Sequence, residues 1–196
     1  MEFYQFARGV VKTVLFPFYR VKVIGRDNFP KEGGVLICSN HISNFDPPVV
    51  GIAAPRSLYF MAKEELFKVP VLKGILPKIN AFPVKRGFSD RQALRTALNL
   101  LKDGNVVGLF PEGHRSKDGK LGEGFSGAGF FALRGGDAVV LPCAVIGPYK
   151  RFHPITVVFG KPIDMTPYRE RRAKAEEVTA VIMSGIQQIL DEYEQK

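Results

Sequence analysis

An α/β fold, with a mostly parallel mixed sheet flanked by helices in a single domain, is what this sequence predicts. Short apolar runs of the kind that become buried strands recur along it: Val35-Leu36-Ile37-Cys38, Val106-Val107-Gly108-Leu109-Phe110 and Ile155-Thr156-Val157-Val158-Phe159. Segments of helical period separate them, and that alternation builds a sheet buried on both faces. The 196 residues, 45% hydrophobic and 24% charged, suffice for one sizeable core.

Residues 1–20 read as an aromatic-rich amphipathic helix with Arg8 and Lys12 on one side, interrupted by Gly9 and Pro17. Such a helix lies either in a membrane interface or on the protein's own core. The folded domain is expected over residues 21–196. Arg20 to Gly25 alternates like a short edge strand. The strand at Val35 to Cys38 runs into Ser39-Asn40-His41-Ile42-Ser43-Asn44-Phe45-Asp46-Pro47-Pro48. Both prolines suit the first turn of a helix, and Asp46, before a proline, is pushed out of the α region. Asp46 is therefore the expected N-cap of a helix reaching about Ala54.

A strand at Ser57 to Met61 precedes a helix starting at Lys63, a short helix at Val71 to Leu76, and a strand at Ala81 to Val84. Ser89 and Gln92 match a capping box before the stripe Leu94, Ala97, Leu98 and Leu101, with Gly104 as the stop. After the Val106 strand comes a turn-rich stretch from Pro111 to Gly124, then a small-residue helix from Gly127 to Leu133. Val139-Val140-Leu141, Ala144-Val145-Ile146 and Ile155 to Phe159 read as strands. One long helix is expected from about Pro167 to Glu194, with Val178, Ile182, Ile186 and Ile189 on its apolar face.

The net charge of +9 is concentrated in the first half, where Lys63, Lys68, Lys73, Lys78, Lys85, Arg86, Arg91 and Arg95 outnumber Glu64, Glu65 and Asp90. This predicts an anionic partner: phosphate groups, lipid head groups, an acidic carrier protein or nucleic acid. No nucleic-acid-binding motif accompanies the charge, so nucleic acid is not expected. Cys38 and Cys143 sit in apolar runs and read as core residues in a reducing compartment. His41, His114 and His153 are scattered, with no metal-ligand spacing, and neither a metal nor a cofactor is expected. Met1-Glu2 does not open like a signal peptide, and no apolar run approaches the ~18 residues of a membrane span.

The chemistry is expected at the His41–Asp46 loop. A carboxylate on one imidazole nitrogen fixes the tautomer and stabilises the imidazolium that forms when the other nitrogen takes a proton. Taken alone, the pair reads equally well as a helix cap beside a polar loop histidine. Two further loops leave predicted strand ends: Phe82-Pro83-Val84-Lys85-Arg86-Gly87, and Phe110-Pro111-Glu112-Gly113-His114-Arg115-Ser116. Ligands of open α/β sheets collect at that edge. Arg86 and Arg115 suit a forked grip on phosphate, with Lys85 adding charge. Glu112 is expected to hold a hydroxyl or orient Arg115, and Gly113 to let backbone approach a ligand.

These blocks resemble the glycerolipid acyltransferase family. Asn40 to Asp46 is similar to its N-H-x4-D block, Phe82 to Gly87 to its second block, and Phe110 to Ser116 to its F-P-E-G-x-R-S block. Leu141-Pro142-Cys143 stands where the fourth block is expected, and Met61-Ala62-Lys63-Glu64-Glu65-Leu66 resembles a segment with a phosphate-binding lysine. Ser126 stands near where many members carry lysine.

The resemblance implies acyl transfer from a thioester on acyl carrier protein or coenzyme A to lysophosphatidate, at the cytoplasmic face of a membrane with peripheral attachment. His41 and Asp46 would be catalytic; Lys63, Lys85, Arg86, Glu112, Gly113, Arg115 and Ser116 would hold the acceptor. Glycerol-3-phosphate or another lysophospholipid is the alternative acceptor. Two other classes compete: a serine hydrolase built on Ser126, Asp137 and His153 in α/β-hydrolase order, and a non-enzymatic binder of anionic surfaces.

Overall fold

The computed structural model describes residues 4–6, 8–9, 13, 20–85 and 90–195. A seven-stranded sheet organises them, in the order β1-β7-β6-β2-β5-β3-β4. The strands are β1 (Arg20–Ile24), β2 (Val35–Ser39), β3 (Leu58–Lys63), β4 (Ala81–Val84), β5 (Val106–Leu109), β6 (Val139–Ile146) and β7 (Pro154–Phe159). Every pairing is parallel except β6 with β7. The mixed sheet is as expected, and β1 is an edge strand as its alternation suggested.

Successive residues of a strand point to opposite faces, and both faces of β2 are covered. Val35 and Ile37 pack toward Val49 and Val50 of helix α1 (Asp46–Ala53). Leu36 and Cys38 pack toward α3 (Arg91–Lys102), α4 (Gly127–Arg134) and α6 (Ala175–Glu194) through Ala97, Leu101, Phe131, Ile182 and Ile186. That two-sided burial is why the central strand reads as an unbroken apolar run. Between β3 and β4 lie two short 3-10 turns, Glu64–Lys68 and Pro77–Ile79, around α2 (Pro70–Ile75); α5 (Thr166–Glu170) precedes α6.

Four local expectations are corrected. The runs at Val139 and Ala144 form one strand through Pro142, although proline is rare in a central strand. The Pro142 carbonyl accepts the Gly160 N–H at 2.8 Å. A strand residue's nitrogen lies on the same edge as its oxygen, so Pro142's missing donor faces the connection after β7, and no β2 bond is lost. The C-terminal helix breaks into α5 and α6 around Arg172, whose φ is +54°. There the Arg169 guanidinium is drawn away to the Ala132 and Ala138 carbonyls.

The third helix is capped by Asp90, whose side chain accepts the Ala93 N–H at 3.1 Å; Ser89 lies outside the described residues. Asp46 is the first residue of α1 rather than its cap, which is Phe45. A capping Asp46 would look for donors at the next two or three residues, and Pro47 and Pro48 have no N–H to give. Its carboxylate turns back along the loop instead.

Most of the segment predicted as an N-terminal helix lies outside the described residues. Within it, Tyr4 is buried and its hydroxyl accepts the Leu58 N–H at 3.1 Å, while Arg8 donates to the Ile52 carbonyl at 2.7 Å. Among the described residues no helix is long and apolar enough to cross a membrane.

Candidate active site

The loop after β2 folds so that His41 Nδ1 lies 2.7 Å from Asp46 Oδ2. The same oxygen accepts the N–H groups of Ile42 and Ser43, each at 2.7 Å, and Oδ1 accepts the Tyr149 hydroxyl at 2.7 Å. Asp46 is fully buried, so these donors replace the water its carboxylate has lost. A carboxylate so supplied accepts from Nδ1, which therefore carries the proton; Nε2 is left with its lone pair. The imidazole stacks on Phe110 at 4.2 Å between centroids and keeps 16% of its surface exposed. A fixed, desolvated acid and a partly open ring with one basic nitrogen are what proton abstraction from a hydroxyl needs.

Tyr149 has no counterpart in the sequence reading. It lies 103 residues from Asp46, beyond the end of β6, and no spacing rule links the two. The signal that was available is a lone tyrosine shortly after a strand whose neighbour carries the histidine loop.

Glu112 is placed differently from expectation. It is buried, with Oε1 accepting the His41 N–H at 2.8 Å and Oε2 the Gly122 N–H at 2.9 Å. The carboxylate thus clamps the histidine loop to the turn-rich stretch after β5, and orients neither Arg115 nor an exposed hydroxyl. The clamp is doubled by the Ser116 N–H, which donates to the His41 carbonyl at 2.7 Å. Ser116's hydroxyl is taken by Asp118 at 3.0 Å. Arg115, just before it, is exposed.

Lys63, Lys85 and Gly113 line one cavity of about 650 Å³ together with Phe110, the ring on which His41 stacks, and with Met61 and Phe131 deeper in. Lys85 is held there by its N–H, which donates to Asp90 Oδ2 at 2.9 Å. That bond, and the cap on Ala93, hold the Asp90 carboxyl below the usual carboxylate range. Gly113 has φ +66°, a conformation that only glycine adopts without strain. Arg86 lies outside the described residues. His41 and Asp46 follow β2, Lys63 ends β3, Lys85 follows β4, and Gly113 and Arg115 follow β5, so these six stand at four strand ends along the edge where ligands of open α/β sheets collect.

The serine-hydrolase alternative loses support. Among the described residues no hydrogen bond joins Ser126, Asp137 and His153, and Ser126 opens α4 without a strand before it. No group of histidine, cysteine and acidic side chains among the described residues is arranged to hold a metal ion.

The acyltransferase family model matches residues 20–146. The 1-acyl-sn-glycerol-3-phosphate acyltransferase of Bacillus subtilis is 30% identical, covering 98% of each chain, and that of Streptococcus pneumoniae is 26% identical over 97% of this chain and 74% of its own. The crystal structure of the 1-acyl-sn-glycerophosphate acyltransferase PlsC from Thermotoga maritima superposes with a TM-score of 0.74 at 26% identity, covering 96% of this chain and 78% of that one. With its strand-end histidine, buried aspartate and cationic rim on a sheet shared with these enzymes, this chain belongs to the acyltransferase family.

Proposed function

We propose that this protein transfers a fatty acyl group from a thioester, carried on acyl carrier protein or coenzyme A, to the free hydroxyl of 1-acyl-glycerol-3-phosphate, giving phosphatidic acid. The observation that carries the proposal is the 2.7 Å contact between His41 Nδ1 and Asp46 Oδ2. Beside it are an apolar cavity with Lys63 and Lys85 on its wall and the exposed Arg115. The names of the Bacillus and Thermotoga relatives agree with this acceptor.

In the proposed step, Nε2 of His41 takes the acceptor's hydroxyl proton as the oxygen attacks the thioester carbonyl. The carbon–oxygen bond forms, the tetrahedral intermediate collapses, and the carbon–sulfur bond breaks. The imidazolium, steadied by Asp46, then gives its proton to the departing thiolate. A thioester is already activated, so the step needs no covalent enzyme intermediate, and general-base catalysis of this kind contributes roughly 10²–10⁴-fold. Arg115, Lys63, Lys85 and Arg86 hold the acceptor's phosphate and set its hydroxyl against the base. The 650 Å³ cavity suits an acyl chain, being walled mainly by Met61, Leu94, Leu109, Phe125 and Phe131. The protein works at the cytoplasmic face of a membrane, attached peripherally.

The test is release of free thiol from acyl-coenzyme A and acyl carrier protein, with lysophosphatidate, glycerol-3-phosphate, other lysophospholipids and an unphosphorylated monoacylglycerol as acceptors. Lysophosphatidate is expected to support the highest kcat/KM. Arg115→Ala should raise KM for the phosphorylated acceptor and leave the unphosphorylated one unaffected. Equal losses with both would remove Arg115 from the phosphate site.

A further inference from the structure

Residues 64–79, the excursion between β3 and β4, carry an unusual surface. Leu66, Val69, Val71 and Ile75 are between 39% and 70% exposed, and α2 buries none of its residues. A short helix whose apolar side chains stay exposed, apart from a half-buried Leu72, gains little from packing in water. Lysines stand among these side chains: Lys68, Lys73 and Lys78, all exposed, against Glu64 and Glu65. Glu64 is already engaged by Lys68 at 3.8 Å.

Exposed aliphatic side chains ringed by ammonium groups complement one kind of surface, an anionic phospholipid bilayer. The aliphatic groups enter the head-group boundary while the lysines meet phosphates. A second observation ties the patch to the site. The excursion walls a cavity of about 260 Å³ whose lining runs from Leu66, Leu76 and Ile79 to Asn44 and Pro47. Asn44 and Pro47 belong to the loop and helix start that hold His41 and Asp46, so an apolar wall joins the patch to the histidine loop.

We propose that residues 64–79 are the face by which this protein sits on an anionic bilayer, and that a lipid acceptor reaches the histidine loop along the cavity behind them. The second half rests on the acyl-transfer reading above; the docking does not.

The test is co-sedimentation of the full chain with phosphatidylcholine vesicles made with and without phosphatidylglycerol, for the wild type, Val71→Asp, and the double variant Val71→Asp/Ile75→Asp. Thiol release is followed with lysophosphatidate embedded in the vesicles and with a short-chain, water-dispersed lysophosphatidate. Neither substituted position belongs to the catalytic or phosphate-holding groups. The wild type should pellet with phosphatidylglycerol vesicles and much less without that lipid. The double variant should bind ~10-fold more weakly or worse, with the single variant between. Its turnover should fall in parallel on the embedded acceptor and stay at the wild-type level on the dispersed one.

Wild-type binding by the double variant, indifference of the wild type to phosphatidylglycerol, or a wild type that pellets with neither vesicle would each overturn the docking face. Loss of turnover on the dispersed acceptor in the double variant would overturn the delivery route. A wild type that releases no thiol with any acceptor would sink the acyl-transfer reading and leave the sedimentation result standing.

Discussion

Asp46 has no water to fall back on. A buried carboxylate left short of donors is costly, by several kcal/mol. Here Ile42, Ser43, His41 and Tyr149 all reach it at 2.7 Å. Two of those donors are backbone amides of its own loop, so the acid shapes the loop that presents the histidine while it orients the ring. Tyr149 supplies the remaining contact from beyond the end of β6, and we assign it a positioning role. Tyr149→Phe removes one hydrogen bond to a charged group, worth about 1.5–3 kcal/mol. The expected result in steady-state thiol release is a kcat lowered about tenfold with KM nearly unchanged. A tyrosine that serves stability alone would lower the melting temperature and leave kcat where it was. The His41–Asp46 pairing was legible in the sequence because the two stand five positions apart on a short loop between a strand and two prolines, which leaves few other arrangements. Tyr149 and the clamp by Glu112 were not. The first contact is far too distant in sequence, and the second is made to backbone amides, which carry no residue signature.

At the scale of elements, strand ends and loops were readable and strand neighbours were not. Apolar runs mark β2, β5 and β6, yet nothing local says that β2 lies between β5 and β6, or that β7, with β1 parallel beside it, reverses against β6. The break before α6 escaped notice because the residues around it, Arg171-Arg172-Ala173-Lys174, offend no helix rule, yet the helix ends in a left-handed Arg172 with the Ala173 N–H donating back to the Tyr168 carbonyl. Pairing also explains a residue whose value is invisible in sequence. Gly108 on β5 stands opposite Phe60 on β3, and a Cβ there would lie 2.3 Å from that ring. Phe60 in turn stacks with Phe110, on which His41 rests. Gly108→Ala must push the row of rings. It is expected to cost about 1–3 kcal/mol of stability by chemical denaturation, and to lower kcat in the fraction that stays folded. A variant with wild-type stability and kcat would mean that the rings absorb the methyl group without moving the imidazole.

For the whole molecule, the two-faced sheet sets the chemistry of the thiols. Burial pushes both up, Cys143 to about 12 and Cys38 likewise upward, whereas an exposed thiol titrates near ~8.5. Folding therefore favours the neutral form. That stabilisation is complete below about pH 8.5 and fades as pH rises toward the folded-state values. Native protein at pH 8 is expected to leave both cysteines unreacted with a thiol-specific disulfide reagent, and protein in guanidinium to react at both. Reaction in the native state would mean that the sheet opens more readily than its packing implies. The same inertness lets a thiol-trapping assay count only the donor's thiol. The sequence announced the core, the excess of positive charge and the three loops; it left unspecified which cations would face one cavity and which surface would meet lipid.

The turnover of His41→Ala, measured by thiol release from an acyl thioester with lysophosphatidate beside a thermal melt of the same preparation, tests the general base most directly. Loss of the base is expected to lower kcat by about 10²–10⁴-fold while the melt stays close to that of the wild type. A folded His41→Ala protein turning over at the wild-type rate would contradict it.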